Sequence, residues 1–191
     1  MNEKIRCSWA GNTPILIDYH DNEWGRPVHA DDKLFEMLIL EGIQAGLTWV
    51  TVLNKREAFR QAFDGFNPNK VALYSNKKIE ELMANEKIIR NCLKINASVS
   101  NAKAFLGVVE EYGSFDKFIW GYVDYVPITS HCRNMADLPA TTPLSDKISK
   151  DLKKLGFKFV GSTIIYAFMQ AIGMVNDHIT ECFAYEELLK G

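Results

Sequence analysis

Two cysteines and two histidines lie at opposite ends of a 191-residue chain: Cys7 and His20 near its start, His178 and Cys182 near its finish. Thiolate sulfur and imidazole nitrogen bind borderline-soft divalent ions, and two of each close a tetrahedron with no position left for water. A site of that kind would clip the two terminal segments together and act structurally. His178 and Cys182 stand four apart, so a continuing helical turn would send both from one face. Ordinary core packing of a Cys–His pair produces the same spacing, and the residues alone leave both readings open. Of the other cysteines, Cys92 falls on an apolar stripe and reads as a buried thiol, whereas Cys132 has only His131 beside it.

A second group centres on an acid. Glu41 closes an apolar stripe formed by Leu34, Met37 and Leu38 at helical spacing. A carboxylate there meets the negative end of the helix dipole, and burial disfavours its charge further. Gly46 and Leu47 follow, then Trp49, while Tyr19 and Trp24 flank His20-Asp21-Asn22-Glu23. An acid, a glycine turn and several aromatic rings suit a pocket that stacks a flat cationic ring. The plainer reading makes Glu41 a helix end reaching water and the aromatics core residues. A third group is basic: Lys147, Lys150, Lys153, Lys154 and Lys158 face two acids, Asp146 and Asp151, an excess of five minus two, or +3. That run is either a solvated helix face or a place for phosphates to land.

The elements that must position these groups read as helices. Asp31 is placed to cap the helix that ends in Glu41, with Gly42 to Gly46 breaking it. A second helix starts near Thr48 and buries Trp49, Val52, Phe59 and Phe63. Asn67-Pro68 starts a short helix to Tyr74, and Asn76 another with Ile79, Leu82 and Met83 inward. The clearest stripe runs Ile88, Cys92, Ile95, Val99, Ala102, Leu106, Val109 and stops before Gly113. Ser145 is the expected cap of the lysine-bearing helix, which Gly156 ends. Residues 162–175 are apolar almost all round and predict the central buried helix. A short helix is expected over Ile15 to Tyr19 and another over Phe115 to Val123, with loop from Val126 to Pro143 and no strand pair. The fold class is all-α.

The length suits one domain, or two small lobes sharing a cleft. The N-terminal MNEKIRCSWAGNT carries no apolar run after its basic residues, and the longest apolar stretch, Ile164 to Met174, is too short to span a bilayer. A soluble cytoplasmic monomer without membrane contact is expected. The formal net charge of −2 excludes a protein that coats nucleic acid by bulk charge, so any such contact must use a local patch.

Five segments carry a family resemblance: Tyr19-His20-Asp21-Asn22-Glu23-Trp24-Gly25; Leu34-Phe35-Glu36-Met37 with Leu40-Glu41-Gly42; Gln44-Ala45-Gly46-Leu47-Thr48-Trp49; Gly156-Phe157-Lys158-Phe159-Val160-Gly161; and Val175-Asn176-Asp177-His178. In this order and spacing they resemble the bacterial 3-methyladenine DNA glycosylase I family, of the helix-hairpin-helix glycosylase superfamily. The resemblance covers nearly the whole chain. It implies one glycosylase domain over residues 1–191, with a lobe of both termini and a middle lobe bearing the hairpin at about 76–112, around a base-binding cleft. It implies one structural zinc ion on Cys7, His20, His178 and Cys182, joining the terminal segments. Glu41 would be the catalytic residue and, with Tyr19 and Trp49, hold the base. Gly46, Leu47 and Lys158 would contact the DNA. The implied activity is extrusion of 3-methyladenine from alkylated double-stranded DNA and hydrolysis of its N-glycosidic bond without strand cleavage, releasing free 3-methyladenine. The sequence departs from the superfamily at Ala84-Asn85-Glu86-Lys87, where the hairpin lacks its usual glycine, and the usual catalytic aspartate is not evident. Two other classes compete: a non-catalytic binder of damaged or bent DNA, and a zinc hydrolase or deaminase, the deaminases' His-x-Glu and Pro-Cys-x-x-Cys pattern being absent here.

Overall fold

Helix boundaries follow local chemistry at most positions, and the clearest exception is Asp31, whose carboxylate serves another helix. The computed structural model describes residues 4–189. Its helices are α1 (Pro14–Asn22), α2 (Asp31–Gln44), α3 (Trp49–Ala62), α4 (Pro68–Val71), α5 (Asn76–Ala84), α6 (Cys92–Tyr112), α7 (Phe115–Trp120), α8 (Pro143–Lys154), α9 (Ser162–Ala171) and α10 (Phe183–Leu189). Asn67 accepts a hydrogen bond from the Asn69 N–H at 3.0 Å, with Pro68 at the first helical position of α4. Asn91 and Ser114 do the same for Lys94 and Lys117, and Gly113 stops α6.

Asp31 is not the cap of α2. The cap is Ala30, and the Asp31 carboxylate instead accepts from the Phe115 and Asp116 N–H groups at 3.0 and 2.8 Å, closing the first turn of α7 from another element. Ser145 likewise is not the cap of α8. Thr142 is, and Ser145 returns the bond from the third helical position in a capping box. Gly42 does not break α2, which continues to Gln44. The missing side chain lets Phe159 approach, since a Cβ at Gly42 would lie 3.3 Å from the Phe159 Cβ.

The centre of the core is α2 rather than α9. Residues 34–43 are buried without interruption, and α2 packs against α3, α6, α7 and α9. Helix α9 is only partly enclosed: Ile165, Tyr166, Phe168 and Met169 face the core, while Ala167 and Gln170 stay half-buried. Helix α6 starts at Cys92, not at Ile88, because residues 85–91 leave α5 as a turn and extended chain. Cys92 is therefore exposed at the helix start. One pair of two-residue strands does form: β1 (Ile128–Thr129) runs parallel to β2 (Val175–Asn176) and fastens the 126–142 loop to the C-terminal segment. Among the described residues no helix is long and apolar enough to cross a membrane.

Candidate active site and metal centre

The last turn of α2 and the first of α3 meet α9 around a cavity of about 260 Å³. Glu41 and Gln44 reach it from α2, Trp49 from α3, Ala167 and Gln170 from α9, and Tyr19 from α1. Trp9, Trp24 and Met135 complete the wall. The aromatic side chains are packed together: Tyr19 lies 5.3 Å from Trp49 between ring centroids, and Trp9 lies 5.0 Å from Trp24. This volume is at the low end for a ligand pocket and suits one planar ring system.

Glu41 is 4% exposed, and burial pushes its carboxyl up to about 8. Among the described residues, three buried side-chain atoms have no hydrogen-bond partner: Glu41 Oε2, Trp9 Nε1 and Trp49 Nε1. All three belong to residues of this one cavity. Buried polar groups are ordinarily satisfied, so an orphaned carboxyl oxygen and two orphaned N–H donors mark a place built for a partner that brings N–H groups and acceptors. The phenol of Tyr19 is held well above its ordinary range by burial and then by Glu41, so it keeps its proton. Tyr19, Glu41 and Trp49 are thus brought together as the sequence implied. Trp24, one of the aromatics read with Glu41 from the sequence, also lines the cavity, whereas Trp9, Gln44, Met135, Ala167 and Gln170 were not assigned to it from the sequence. Trp9 carried a signal in its place two residues after Cys7; Gln170 and Ala167 carried only their helical spacing.

Gly46 and Leu47 form the turn between α2 and α3. Gly46 holds a φ of +78° that a side chain would strain, and Leu47 is 39% exposed. Gln44 before the turn and Trp49 after it both line the cavity, whereas Leu47 between them is not a lining residue. Lys94 supports this corner: its Nζ donates to the carbonyls of Ile43 and Ala45 at 2.7 and 2.5 Å, meeting the negative end of α2. Lys158 is exposed, and its backbone is gripped on both sides by Asn101, at 2.7 and 3.0 Å. The lysines of α8 are exposed as expected, although Lys154 and Lys147 reach Asp151 at 2.9 and 3.9 Å and give up part of the free charge.

The four candidate metal ligands converge, all buried, with their donor atoms within 4.8 Å of one another. Residues 178–182 form a turn, not a continuing helix, so it is not helical spacing that aims His178 and Cys182 together. Cys182 Sγ lies 3.4 Å from His178 Nδ1 and 3.5 Å from His20 Nε2, and Cys7 Sγ lies 3.6 Å from His178 Nδ1. Metal–sulfur and metal–nitrogen bonds of tetrahedral zinc length give an edge of about 3.6 Å, which these three sulfur–nitrogen separations match. Each imidazole's other nitrogen is engaged: His20 Nδ1 with the Asp21 carboxylate at 2.8 Å, His178 Nε2 with the Trp24 carbonyl at 3.2 Å. Those partners fix the tautomers that leave His20 Nε2 and His178 Nδ1 unprotonated, with His20 Nε2 also taking the Cys7 N–H at 3.3 Å. Asp21 is held down at about 2 by Arg6 and then by His20. The residues fit a closed N2S2 metal centre.

The Methyladenine glycosylase family model matches residues 9–185. The DNA-3-methyladenine glycosylase 1 of Escherichia coli K12 is 47% identical over 180 residues, which cover 94% of this chain and 96% of that protein. A crystal structure of 3-methyladenine DNA glycosylase I superposes with a TM-score of 0.91 at 49% identity, covering 95% of this chain and all of that one. The Staphylococcus aureus 3-methyladenine DNA glycosylase I, in a structure concerned with 3-methyladenine recognition, gives 0.92 at 36% identity, over 94% and 96% of the two chains.

Proposed function

Because the chain belongs to the methyladenine glycosylase family, we propose that it is a DNA repair glycosylase that removes 3-methyladenine from alkylated duplex DNA. The observation that carries this reading is the unsatisfied carboxyl of Glu41, enclosed by aromatic rings in a cavity the size of one base.

Methylation at N3 gives the base a positive charge while it is still on the sugar. Such a base leaves easily and needs no general acid. What remains is to extrude the nucleotide, at a cost of roughly a few kcal/mol of unstacking, and to prefer the cation over normal adenine. Glu41 is the catalytic residue: as a carboxylate it meets the cation and accepts from its amino edge, while Tyr19 and Trp49 pack on the ring faces. Water then forms a bond to the sugar carbon as the N-glycosidic bond breaks. The bonding pair neutralises the departing base, the water's proton goes to solvent, and free 3-methyladenine is the product. No lysine stands among the cavity residues, which supports a monofunctional enzyme without strand cleavage.

Leu47, on the turn begun by Gly46, would enter the duplex where the base has left, with Lys158 on a nearby phosphate. The turn at 85–91 between α5 and α6 would serve as the hairpin of a helix-hairpin-helix fold, in a middle lobe of about 76–112 within one glycosylase domain. Lys55 Nζ already occupies the carbonyl of Lys87 there, at 2.9 Å, which tightens the turn without glycine. Cys7, His20, His178 and Cys182 would hold one zinc ion. Bound there, it supplies a fixed tetrahedral cross-link between the chain ends. We take the protein to act as a cytoplasmic monomer.

The deciding experiment is incubation with methylated duplex DNA followed by chromatography of the released bases and a test for strand breaks. Release of 3-methyladenine with intact strands is expected. Tight binding of alkylated DNA without base release would instead make the protein a damage-binding module.

A further inference from the structure

Gln170 lines the same cavity, and its amide is locked from behind by Asp177. Asp177 is buried, and its Oδ2 accepts from the Tyr166 hydroxyl at 2.6 Å and from Gln170 Nε2 at 2.8 Å. Burial holds the Tyr166 phenol well above its ordinary range, so it keeps the proton it donates. A carboxylate oxygen with two donors on it can only accept, so the amide nitrogen of Gln170 must face Asp177. That leaves Gln170 Oε1 on the opposite side of the amide, and among the described residues nothing donates to it. The residue's main chain is pinned as well, its carbonyl taking the Gly25 N–H at 3.0 Å. The cavity lining therefore offers two acceptors, Gln170 Oε1, held by the Asp177 contact, and the Glu41 carboxylate once its proton has gone.

We propose that Gln170, oriented by Asp177, is a specificity-determining residue that accepts one N–H of the base's exocyclic amino group while Glu41 accepts the other. This deepens the glycosylase reading and rests on it. A 3-methyladenine still attached to its sugar has N–H donors only on the 6-amino group, and that group has two hydrogens for two acceptors. A purine with an oxo oxygen at that position sets acceptor against acceptor. Gln170 cannot relieve this by turning its NH2 inward without abandoning Asp177, and an unpaired buried polar group is what makes hydrogen-bond recognition discriminate. Asp177 touches no substrate in this arrangement and is a positioning residue.

The test is a calorimetric comparison of free 3-methyladenine with 3-methylhypoxanthine, its 6-oxo counterpart, on the parent, Gln170→Met and Asp177→Asn proteins, with metal content and melting temperature measured alongside. The parent is expected to favour the amino purine at least tenfold. Gln170→Met should lose most of that preference, because its affinity for 3-methyladenine falls roughly tenfold while that for the oxo purine holds or rises. Asp177→Asn should lose part of it, since an amide at 177 accepts Gln170 either way round. A purely structural role lowers both affinities together, so a parental ratio in Gln170→Met overturns the inference whatever Asp177→Asn does to folding. A parent that neither binds 3-methyladenine nor releases it from alkylated DNA overturns the glycosylase reading itself, and this inference with it.

Discussion

His178 donates from Nε2 to the carbonyl of Trp24 across 3.2 Å, so a side chain of the buried Cys/His cluster holds the backbone of a residue in the cavity wall. The two are 154 positions apart in the chain. The Cys/His cluster between the terminal segments thereby also bears on where one wall of the pocket stands.

Cys182→Ser should lower melting temperature and metal content together, and weaken 3-methyladenine binding through Trp24, without removing any group from the cavity. Cys92→Ser should leave the metal in place, because Cys92 is exposed at the start of α6. Metal analysis of the folded protein should find one zinc per chain; clearly less than one would sink the clip.

Glu41→Gln keeps the shape of the side chain and removes its charge. It should bind free 3-methyladenine roughly tenfold more weakly, the scale of a charge-assisted hydrogen bond. Fold and metal content should survive, since no cation is left unpaired by the change. Excision should fall less than in an enzyme that relies on a general base, because the substrate's own charge activates the leaving group. Parental binding and excision in this variant would make Glu41 an incidental helix-end acid.

The raised carboxyl of Glu41 also has a pH signature. With a folded value of about 8 against an ordinary 4.5, the folded chain keeps a proton that the unfolded chain has already lost. Its contribution to stability is full below about 4.5 and is lost as pH rises to about 8. Glu41→Gln should therefore be as stable as the parent in acid and more stable in mild alkali, by up to about 5 kcal/mol. Binding of the cationic base needs the carboxylate, so parental excision at low substrate should climb with pH to about 8 and then level. A flat profile in the parent would contradict this.

Leu47→Ala should separate extrusion from recognition. Leu47 is exposed on the turn between two cavity residues, Gln44 and Trp49, and is not itself a lining residue. Excision from duplex DNA should drop about tenfold or more, in line with an unstacking cost of a few kcal/mol, while affinity for the free base stays parental. Equal losses in both would move Leu47 into the pocket.

Changing Lys150, Lys153 and Lys154 together to alanine should weaken binding to damaged and undamaged duplexes alike and flatten the dependence on salt. Unchanged binding would leave the lysines of α8 as a solvated face.

The helices and the acid at the end of an apolar stripe were legible in the sequence because they rest on local periodicity, whereas Cys7, His20, His178 and Cys182 were settled as one candidate site only by the family resemblance. Asn67-Pro68 and Gly113 act within one turn, so they could be read where they stand. Asp31 could not, since its carboxylate serves Phe115 and Asp116 on another helix. Cys92 repeats the spacing of its stripe, yet the chain from 85 to 91 is not helical, so the stripe loses its phase before α6 begins. Trp9, Gln170 and Asp177 belong to the cavity or brace it only because α1, α2 and α9 converge there. Burial of Glu41 has the same origin. A side chain's own type sets which protons it can exchange, but desolvation and the direction of its hydrogen bonds come from neighbours far away in the chain, and only the packed structure decides those.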